Sequence, residues 1–354
     1  MEQKQNMEKE LGYLRVDGFI KGMVDARALT TAFEIGLIDC LAGERQATPE
    51  ALARDTRCPM AGLVLLLELL AANNVIDRSI GTIRLTAGFA EALGYRDLML
   101  AKLDFAHLAA HDFIEHFSQL VVDPPGFMQR AAMFRLFSYG RCFDANRENL
   151  ELARRWVRIT TMLTRYEAGV CFKHHDFGNY RRMLDIGGNS GEFVLQACRR
   201  HQGLEATVFD LPLVCDIGQA HVSGEPEAGR IRFIKGDALS GNLPEGFDLV
   251  TLKSVLHDWP DQEARLFLQK AAEAVQPGGT LLIFERGPLD IAKTGLPYSL
   301  IPILLFAHTF RAPDMYQDKL AELGFQEISI TWLDLETPFF LVAAVKKALG
   351  AAGK

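Results

Sequence analysis

The sequence lacks closely spaced cysteines and long apolar runs. No CxxC pair suggests a zinc site or a redox couple. The most apolar run, Leu63 to Ala72, is short and contains Glu68, and the first ten residues, MEQKQNMEKE, are charged. We therefore expect a cytoplasmic chain with reduced thiols that neither crosses a membrane nor is exported. The six cysteines are Cys40, Cys58, Cys142, Cys171, Cys198 and Cys215.

An excess of positive charge is also missing, since 38 basic residues face 45 acidic ones and the formal net charge is −7. Such a surface is poorly suited to polyanions, so we do not expect nucleic acid as a partner. With 49% hydrophobic and 23% charged residues, the composition excludes disorder of the whole chain. The length of 354 residues predicts about two domains.

The N-terminal part, from about Val16 to Leu93, has a dense helical pattern of apolar residues. Thr48-Pro49-Glu50 is typical of a helix start, and a second helix should begin near Pro59. Two short strands are predicted around Gly81, so the order favours a winged helix. From Pro59 to Ile76 the only charged residue is Glu68, which leaves no cation for DNA phosphates. We expect this helix to bury itself against its own domain or a second subunit.

A further helical region extends from about Tyr95 to Phe177, with a break at residues 123–126 (Asp-Pro-Pro-Gly). His107 and His111 are i, i+4 neighbours on its first helix, and His116 follows. These histidines are either amphipathic residues of a helix bundle or, less simply, a metal pair. The first interpretation is favoured because no cysteine or carboxylate at ligand spacing completes a site.

From Tyr180 strands and helices alternate, which predicts an α/β fold with a parallel sheet and helices on both faces. The last two strands are close enough in sequence to pair as an antiparallel hairpin. The predicted strands are 182–186, 206–209, 231–235, 249–253, 280–285, 327–333 and 339–345.

The strongest local signal is the stretch 183–192, MLDIGGNSGE, in which a buried strand runs into a glycine turn and then a helix from Phe193 to Arg200. Asp185, Gly187, Gly188 and Gly191 give the spacing D-x-G-x-N-x-G rather than the G-x-G-x-x-G of NAD sites. This spacing is used for S-adenosylmethionine, and asparagine at position 189 tolerates a left-handed backbone. A merely tight strand-to-helix turn is the alternative.

Two acids and a histidine follow the next strands. Asp210 can accept hydrogen bonds from both ribose hydroxyls, and Asp237 can accept from an adenine amino group. Alternatively, each acid caps a helix or a turn. His257 lies just past the fourth strand, where its ordinary pKa of about 6.5 suits removal of a proton near neutrality. Because carboxyl ends of parallel strands share one sheet edge, we expect these groups in one crevice.

The runs LDIGGNSG, FDLP, GDAL, LKSVLHDWPD and PGGTLLIFERGPL resemble, in order and spacing, bacterial small-molecule members of the S-adenosylmethionine-dependent O-methyltransferases typified by caffeate and hydroxyindole methyltransferases. The resemblance implies His257 as general base, Glu285 as a carboxylate that orients it, and a supporting role for Asp258. It also implies S-adenosylhomocysteine as product and no metal. The predicted cofactor-binding residues are Asp185, Gly187, Gly188, Gly191, Asp210, Leu211, Asp237, Ala238, Lys253 and Ser254.

The resemblance has two departures. Ala238 stands where the family often has methionine or another large apolar residue against adenine. Phe310 stands where an ungapped match places a second orienting carboxylate. The orienting pair around His257 is therefore incomplete.

The predicted function is methylation of a hydroxyl on a small, aromatic metabolite of secondary metabolism. One alternative is metal-assisted C-methylation of a 2-oxo acid, with His257 and His308 as ligands. N- or S-methylation also fits the motifs, as does a homologue that binds the cofactor without transfer. Trp156, Met162, Phe306 and His308 are candidates for the acceptor pocket, the last two on a predicted helix 299–310. Each is equally well explained as helix core.

The resemblance also implies a domain division and a homodimer. Residues 1–105 are expected to form a winged-helix-like dimerisation domain, and residues 106–177 a helical linker that contributes to the acceptor pocket. Residues 178–354 are expected to form the methyltransferase domain. In such dimers each subunit usually lends a few residues to its partner's pocket.

Overall fold

A computed structural model describes residues 17–43, 46–290 and 309–348. The chain divides into two compact units, Met1–Ser118 and Gln119–Lys354. Within the described residues, no helix combines the length and apolarity needed to cross a membrane. The predicted helix 299–310, with Phe306 and His308, lies outside the described residues except for its last two positions.

The first unit contains helices and one short antiparallel hairpin. Its described elements are α1 (Asp17–Glu34), α2 (Leu37–Gly43), α3 (Pro49–Thr56), α4 (Met60–Ala72), β1 (Ile76–Ser79), β2 (Thr82–Leu85), α5 (Ala87–Ala92) and the start of α6 (Arg96–Val122), which carries His107, His111 and His116. The predicted strands around Gly81 are confirmed as β1 and β2.

Local signals explain where these helices begin and what they bury. The hydroxyl of Thr48 accepts a hydrogen bond from the backbone N–H of Ala51, and Pro49 occupies the first turn, which confirms the predicted start of α3. Helix α4 buries Leu63, Leu66, Leu67 and Leu70 in the core of the first unit. One face of the apolar run therefore serves packing within this unit.

The predicted break at residues 123–126 separates two helices. The Asp123 side chain accepts from the backbone N–H of Gly126 at 3.1 Å, so α7 (Pro124–Arg130) begins immediately after α6. Two 3₁₀ turns follow, at Ala132–Phe137 and Tyr139–Phe143. The long helix α8 (Arg147–His174) then starts at Asn146, whose side chain accepts from the N–H of Asn149.

The second unit is built on a seven-stranded sheet, which confirms the predicted α/β fold class. Its strand order is β5-β4-β3-β6-β7-β9-β8. Strand β9 runs opposite to the other strands of this sheet and lies between β7 and β8, so the predicted terminal hairpin is confirmed. The strands are β3 (Arg182–Ile186), β4 (Glu205–Asp210), β5 (Ile231–Lys235), β6 (Phe247–Lys253), β7 (Val275–Arg286), β8 (Phe325–Asp334) and β9 (Pro338–Lys346).

Helices cover both faces of this sheet. They are α9 (Glu192–Arg200), α10 (Pro212–Val222), α11 (Asp261–Ala274) and α12 (Asp314–Glu322), together with α8. One core contains Phe267 and Tyr316 of α11 and α12, and the other contains Ala168 and Phe193 of α8 and α9. Because helices cover both faces, central strands such as β6 are buried over most of their length.

The strand order determines where a ligand can enter. From β3 the chain continues to β4 and β5 on one side, and then returns to β6 on the other side of β3. Such a switch opens a crevice at the carboxyl ends of the two central strands. The side chains that follow β3, β4, β6 and β7 can meet at this edge.

Candidate active site

In the glycine turn after β3, Gly187 and Gly188 have no room for a larger side chain. Gly187 has φ +67°, and a Cβ atom there would lie 2.7 Å from a Val255 methyl group. Asn189 also has positive φ (56°), as the sequence predicted, and Gly191 (φ 76°) precedes α9. A Cβ on Gly188 would lie 2.7 Å from the Asp185 carboxylate. Backbone therefore approaches the crevice closely at this turn.

Asp185, near the end of β3, is buried and accepts a hydrogen bond of 2.5 Å from the Thr251 hydroxyl. Burial raises the pKa of Asp185 to about 7. A further hydrogen-bond donor or a cation would stabilise the ionised form of a carboxyl group in this position. The group therefore suits a ligand with hydroxyl, ammonium or other positively charged groups.

Asp210 ends β4 and lies against the glycine turn. Its carboxylate accepts from the backbone N–H groups of Asn189 and Leu211, each at 2.7 Å. Burial raises the pKa of Asp210 to about 6, although these two donors oppose the shift. Each oxygen keeps a lone pair beyond its one N–H contact, so the ribose role predicted for Asp210 is chemically open.

Asp237 follows β5 and organises its own turn. It accepts from the backbone N–H of Leu239 at 2.9 Å and from the Ser240 hydroxyl at 2.8 Å. The structure thus shows the turn hydrogen bonds that the simpler interpretation requires, and contact with adenine stays a prediction. Ala238 is half-buried and packs against the core of the second unit.

Lys253, at the end of β6, is held by helix α8. Its ammonium group pairs with Glu167 and donates to the Thr164 hydroxyl at 2.9 Å. The other oxygen of Glu167 accepts from Arg286 at 2.9 Å, and Arg286 also donates to the Ser254 hydroxyl at 3.1 Å. Burial would raise the pKa of Glu167, but the two cations outweigh it and hold this pKa below its ordinary value.

Glu167 and its neighbours on α8 were not predicted from the sequence. Thr160 donates to the side chain of Asn189 at 3.0 Å, and Thr161 donates to the Ser190 hydroxyl at 2.7 Å. Helix α8 therefore lies directly on the glycine turn. The i, i+1, i+4, i+7 spacing of Thr160, Thr161, Thr164 and Glu167 is a helix-face signal that could have identified them.

His257 follows β6 in a short 3₁₀ turn and contacts the carboxylate predicted for it. Its Nδ1 lies 2.6 Å from Glu285 Oε1, and the Glu285 carboxylate also accepts from the backbone N–H groups of Leu256 and Arg286, each at 2.9 Å. Burial would raise the pKa of Glu285, but His257 and these donors lower it overall. An ionised Glu285 keeps the imidazole proton on Nδ1 and leaves Nε2 to accept another.

A second carboxylate approaches the other nitrogen of His257. Asp258 Oδ1 lies 3.3 Å from His257 Nε2, and the Tyr139 hydroxyl donates to Asp258 Oδ2 at 2.6 Å. Burial would lower the pKa of His257, but Glu285 and Asp258 outweigh it and raise this pKa. The arrangement therefore favours an imidazole that binds a proton.

The remaining residues named from the sequence are Trp156, Met162 and Phe310. The Trp156 ring contacts the Tyr139 ring at 5.5 Å between centroids, and Tyr139 in turn binds Asp258 beside His257. Met162 is half-buried on α8, and its predicted role stays a prediction. The Phe310 ring meets the His257 ring edge-to-face at 5.4 Å, so an uncharged aromatic group contacts the imidazole where the family places a carboxylate.

A metal site is not formed by the described residues, in which no group of three or more His, Cys, Asp or Glu side chains could hold an ion. His308 lies outside them, so its predicted role in the pocket or as a ligand stays a prediction.

Two family models match this chain. The model of the O-methyltransferase domain matches residues 127–326, and the model of the O-methyltransferase dimerisation domain matches residues 18–92. The chain belongs to the O-methyltransferase family. The predicted enzyme class, an S-adenosylmethionine-dependent O-methyltransferase, is thereby confirmed.

Similar proteins carry related names. The 3-hydroxy-5-methyl-1-naphthoate 3-O-methyltransferase of Streptomyces sahachiroi is 28% identical over 292 residues, which cover 77% of this chain and 78% of that one. Bovine (Bos taurus) acetylserotonin O-methyltransferase is 34% identical over 171 residues, or 46% of this chain and 48% of its own. The match to the bovine relative thus covers about half of each chain.

Solved structures show the same fold. Human N-acetylserotonin methyltransferase in complex with S-adenosylmethionine has a TM-score of 0.73 at 21% identity, covering 95% of this chain and 98% of that one. The mitomycin 7-O-methyltransferase MmcR has a TM-score of 0.72 at 22% identity, covering 96% and 99%.

Proposed function

We propose that this enzyme methylates a hydroxyl group of a small aromatic acceptor, with His257 as the general base. The observation that carries the proposal is the His257–Glu285 pair at the same sheet edge as the glycine turn and Asp210. Membership of the O-methyltransferase family supports the reaction class.

The residues of the crevice fit S-adenosylmethionine. When bound, this cofactor supplies a methyl group on a positively charged sulfur. Asp185 and Asp210 are buried carboxyl groups whose pKa values are raised by burial, so a donor or a positive charge nearby would stabilise their ionised forms. The cramped glycine turn lets backbone approach the ligand. We assign cofactor binding to this turn with Asp185, Asp210, Asp237 and Lys253.

His257 removes the proton of the acceptor. A phenol with a pKa of about 10 is mostly protonated and a poor nucleophile near neutrality. The O–H bond breaks as Nε2 of His257 takes the proton, while Glu285 holds the Nδ1–H group at 2.6 Å. The imidazolium then lies between the carboxylates of Glu285 and Asp258, which stabilise its charge.

The aromatic character of the acceptor is inferred from the surroundings of the base. The ring of Tyr139, whose hydroxyl binds Asp258, contacts the rings of Trp156 and Trp259. Flat apolar surfaces of this kind favour flat ligands. The naphthoate and acetylserotonin named in two relatives are consistent with such an acceptor.

We further propose a cytoplasmic homodimer with the predicted domain division: a winged-helix-like dimerisation domain (1–105), a helical pocket region (106–177) and the methyltransferase domain (178–354). The match to an O-methyltransferase dimerisation domain supports association through residues 18–92. None of the six cysteines, all of which lie in the described part of the chain, forms a disulfide, which agrees with a reducing compartment.

A transfer assay tests the function. Purified protein is incubated with methyl-labelled S-adenosylmethionine and a panel of phenols, naphthols and hydroxyindoles, and we expect label on oxygen. His257→Ala should lower turnover by about 10²–10⁴-fold. His174→Ala, at the exposed end of α8, is the matched control and should turn over normally.

Calorimetry of S-adenosylmethionine binding separates the two halves of this proposal. We expect His257→Ala to bind the cofactor as the wild-type enzyme does, since the cofactor residues are intact. Full turnover by His257→Ala would contradict the base assignment, and label on carbon or nitrogen would contradict hydroxyl methylation.

A further inference from the structure

The side chain of Tyr139 contacts two tryptophan rings and, through its hydroxyl, Asp258. Its ring lies 5.5 Å from the Trp156 ring and 5.7 Å from the Trp259 ring, measured between centroids. Its hydroxyl donates to Asp258 Oδ2 at 2.6 Å, a contact between residues 119 positions apart in the chain. The two tryptophans therefore set the direction in which the hydroxyl points.

This contact fixes the second carboxylate beside the base. With Oδ2 of Asp258 bound to Tyr139, Oδ1 faces Nε2 of His257 at 3.3 Å. The Phe310 ring contributes a contact to the imidazole but no charge. The negative charge on the Nε2 side of His257 is therefore supplied by Asp258, and its orientation by Tyr139.

Tyr139 acts as a permanent donor in this position. Burial and the neighbouring Asp258 raise the pKa of Tyr139 well above its ordinary value, so the hydroxyl keeps its proton. Burial raises the pKa of Asp258, and the hydroxyl of Tyr139 opposes that shift by stabilising the ionised carboxylate. Loss of the hydroxyl would leave Asp258 both less ionised and free to rotate.

We propose that Tyr139 is a positioning residue for methyl transfer, which holds Asp258 against Nε2 of His257 in place of the second orienting carboxylate. The proposal rests on His257 acting as the base. Asp258 stabilises the imidazolium that forms when the acceptor loses its proton, and Tyr139 acts on the reaction only through Asp258.

The proposal predicts a direction for the pH dependence. Activity rises with pH as His257 loses its proton, and a well-placed carboxylate at Nε2 raises the pKa of that step. Loss of the hydroxyl weakens this effect, so the acid limb of the kcat profile moves to lower pH while kcat itself falls. Among the described residues, the charged groups that act on His257 are Glu167, Asp258, Glu285 and Arg286, and Tyr139 reaches it through Asp258.

A double-mutant cycle with Tyr139→Phe and Asp258→Asn tests the proposal. Tyr139→Phe keeps the ring and should lower kcat about fivefold, the effect of one hydrogen bond of about 1 kcal/mol. Asp258→Asn should lower kcat by about 10–100-fold and shift the acid limb further in the same direction. The double variant should equal Asp258→Asn alone, because Tyr139 acts through that carboxylate.

Tyr180→Phe is the matched control. Tyr180 is also half-buried, and its hydroxyl donates to Thr280 at 3.0 Å. Tyr180 comes just before β3 in the chain, so it lies at the opposite edge of the sheet from His257. We expect it to leave kcat and the pH profile unchanged. Additive effects in the cycle, an unshifted acid limb in Tyr139→Phe, or an effect on the acceptor KM alone would overturn the proposal. If His257→Ala retained full turnover, the proposed function itself would fail instead.

Discussion

At Asp185 the chemistry is decided by burial, because the side chain is 1% exposed and has one hydroxyl donor, Thr251. In an unfolded chain the same carboxyl has a pKa near 3.9. Its raised pKa of about 7 means that the folded protein binds a proton which the unfolded chain releases between these values. Folding therefore opposes ionisation of this group.

The buried carboxyl group of Asp185 makes the stability of the ligand-free protein depend on pH. Because Asp185 holds in the native state a proton that it has lost in the unfolded chain, its contribution to the free energy of unfolding should fall as pH rises from 4 towards its folded pKa of about 7. Asp185→Asn removes this titration, so its unfolding free energy should fall less over the same range. Urea unfolding at several pH values measures the difference.

Asp318→Asn, on the exposed side of α12, is the control and should follow the wild-type pH dependence. Parallel curves for Asp185→Asn and the wild type would show that Asp185 is ionised in the folded protein.

Gly187 is a residue at which even one added methyl group should lower stability. Gly187→Ala meets both a positive φ and a Val255 methyl group at 2.7 Å. We expect a loss of about 1–2 kcal/mol from backbone strain alone, with more from the clash. The clash should be relieved in Gly187→Ala/Val255→Ala, which separates the two effects in denaturant unfolding.

Gly88→Ala provides the comparison, since Gly88 lies inside α5 with no atom within 4 Å of the added Cβ. It should gain up to about 1 kcal/mol from helix propensity. Equal stability changes at positions 88 and 187 would contradict the account of the turn.

At the scale of elements, helix α8 determines how the site is assembled. Its polar face contacts the glycine turn through Thr160 and Thr161, and the end of β6 through Thr164 and Glu167. On the same helix, Trp156 contacts the Tyr139 ring. One helix therefore links the predicted cofactor turn to the surroundings of the base.

Thr161→Val tests this link. Thr161 is buried and contacts both the carbonyl of Val157 and the Ser190 hydroxyl, so valine should cost about 1 kcal/mol of stability and weaken S-adenosylmethionine binding. Thr30→Val on α1 is a close match, because Thr30 also contacts a carbonyl four residues earlier but has no equivalent of Ser190. Calorimetry should show normal cofactor affinity for Thr30→Val, and an equally normal value for Thr161→Val would contradict the link.

For the whole molecule, exposed apolar side chains suggest where a second copy binds. Leu65 on α4 is 64% exposed, and Ile114 and Phe117 on α6 are 62% and 52% exposed. The chain contains a dimerisation domain, so we expect these exposed apolar side chains on two helices to be buried in a dimer interface.

We expect sedimentation to show a homodimer, and Phe117→Lys or Leu65→Lys to shift it towards monomer. Ile80→Lys is the control, since Ile80 is fully exposed at the turn between β1 and β2 and should leave the dimer intact. A monomeric wild-type protein would contradict the proposed assembly.

The sequence by itself determined the elements and much of the site. Short apolar runs that alternate with helical segments predicted every strand of the large sheet, because the apolar residues of each strand lie close together in the chain. The glycine turn, Asp210 and the His257–Glu285 pair were also predicted, since each follows directly from a strand end or from a motif in the resemblance. These features depend on residues that are close in the chain or placed by parallel strand ends.

Only the tertiary structure decided which distant groups complete the site. The Tyr139–Asp258 contact joins residues 119 positions apart, and Glu167 reaches Arg286 over the same separation. Neither the irregular turns before α8 nor the polar face of that helix indicates its partner, because local sequence fixes the shape of an element and not its neighbour. The raised pKa values of Asp185 and Asp210 likewise come from burial, which arises only when helices close over the sheet.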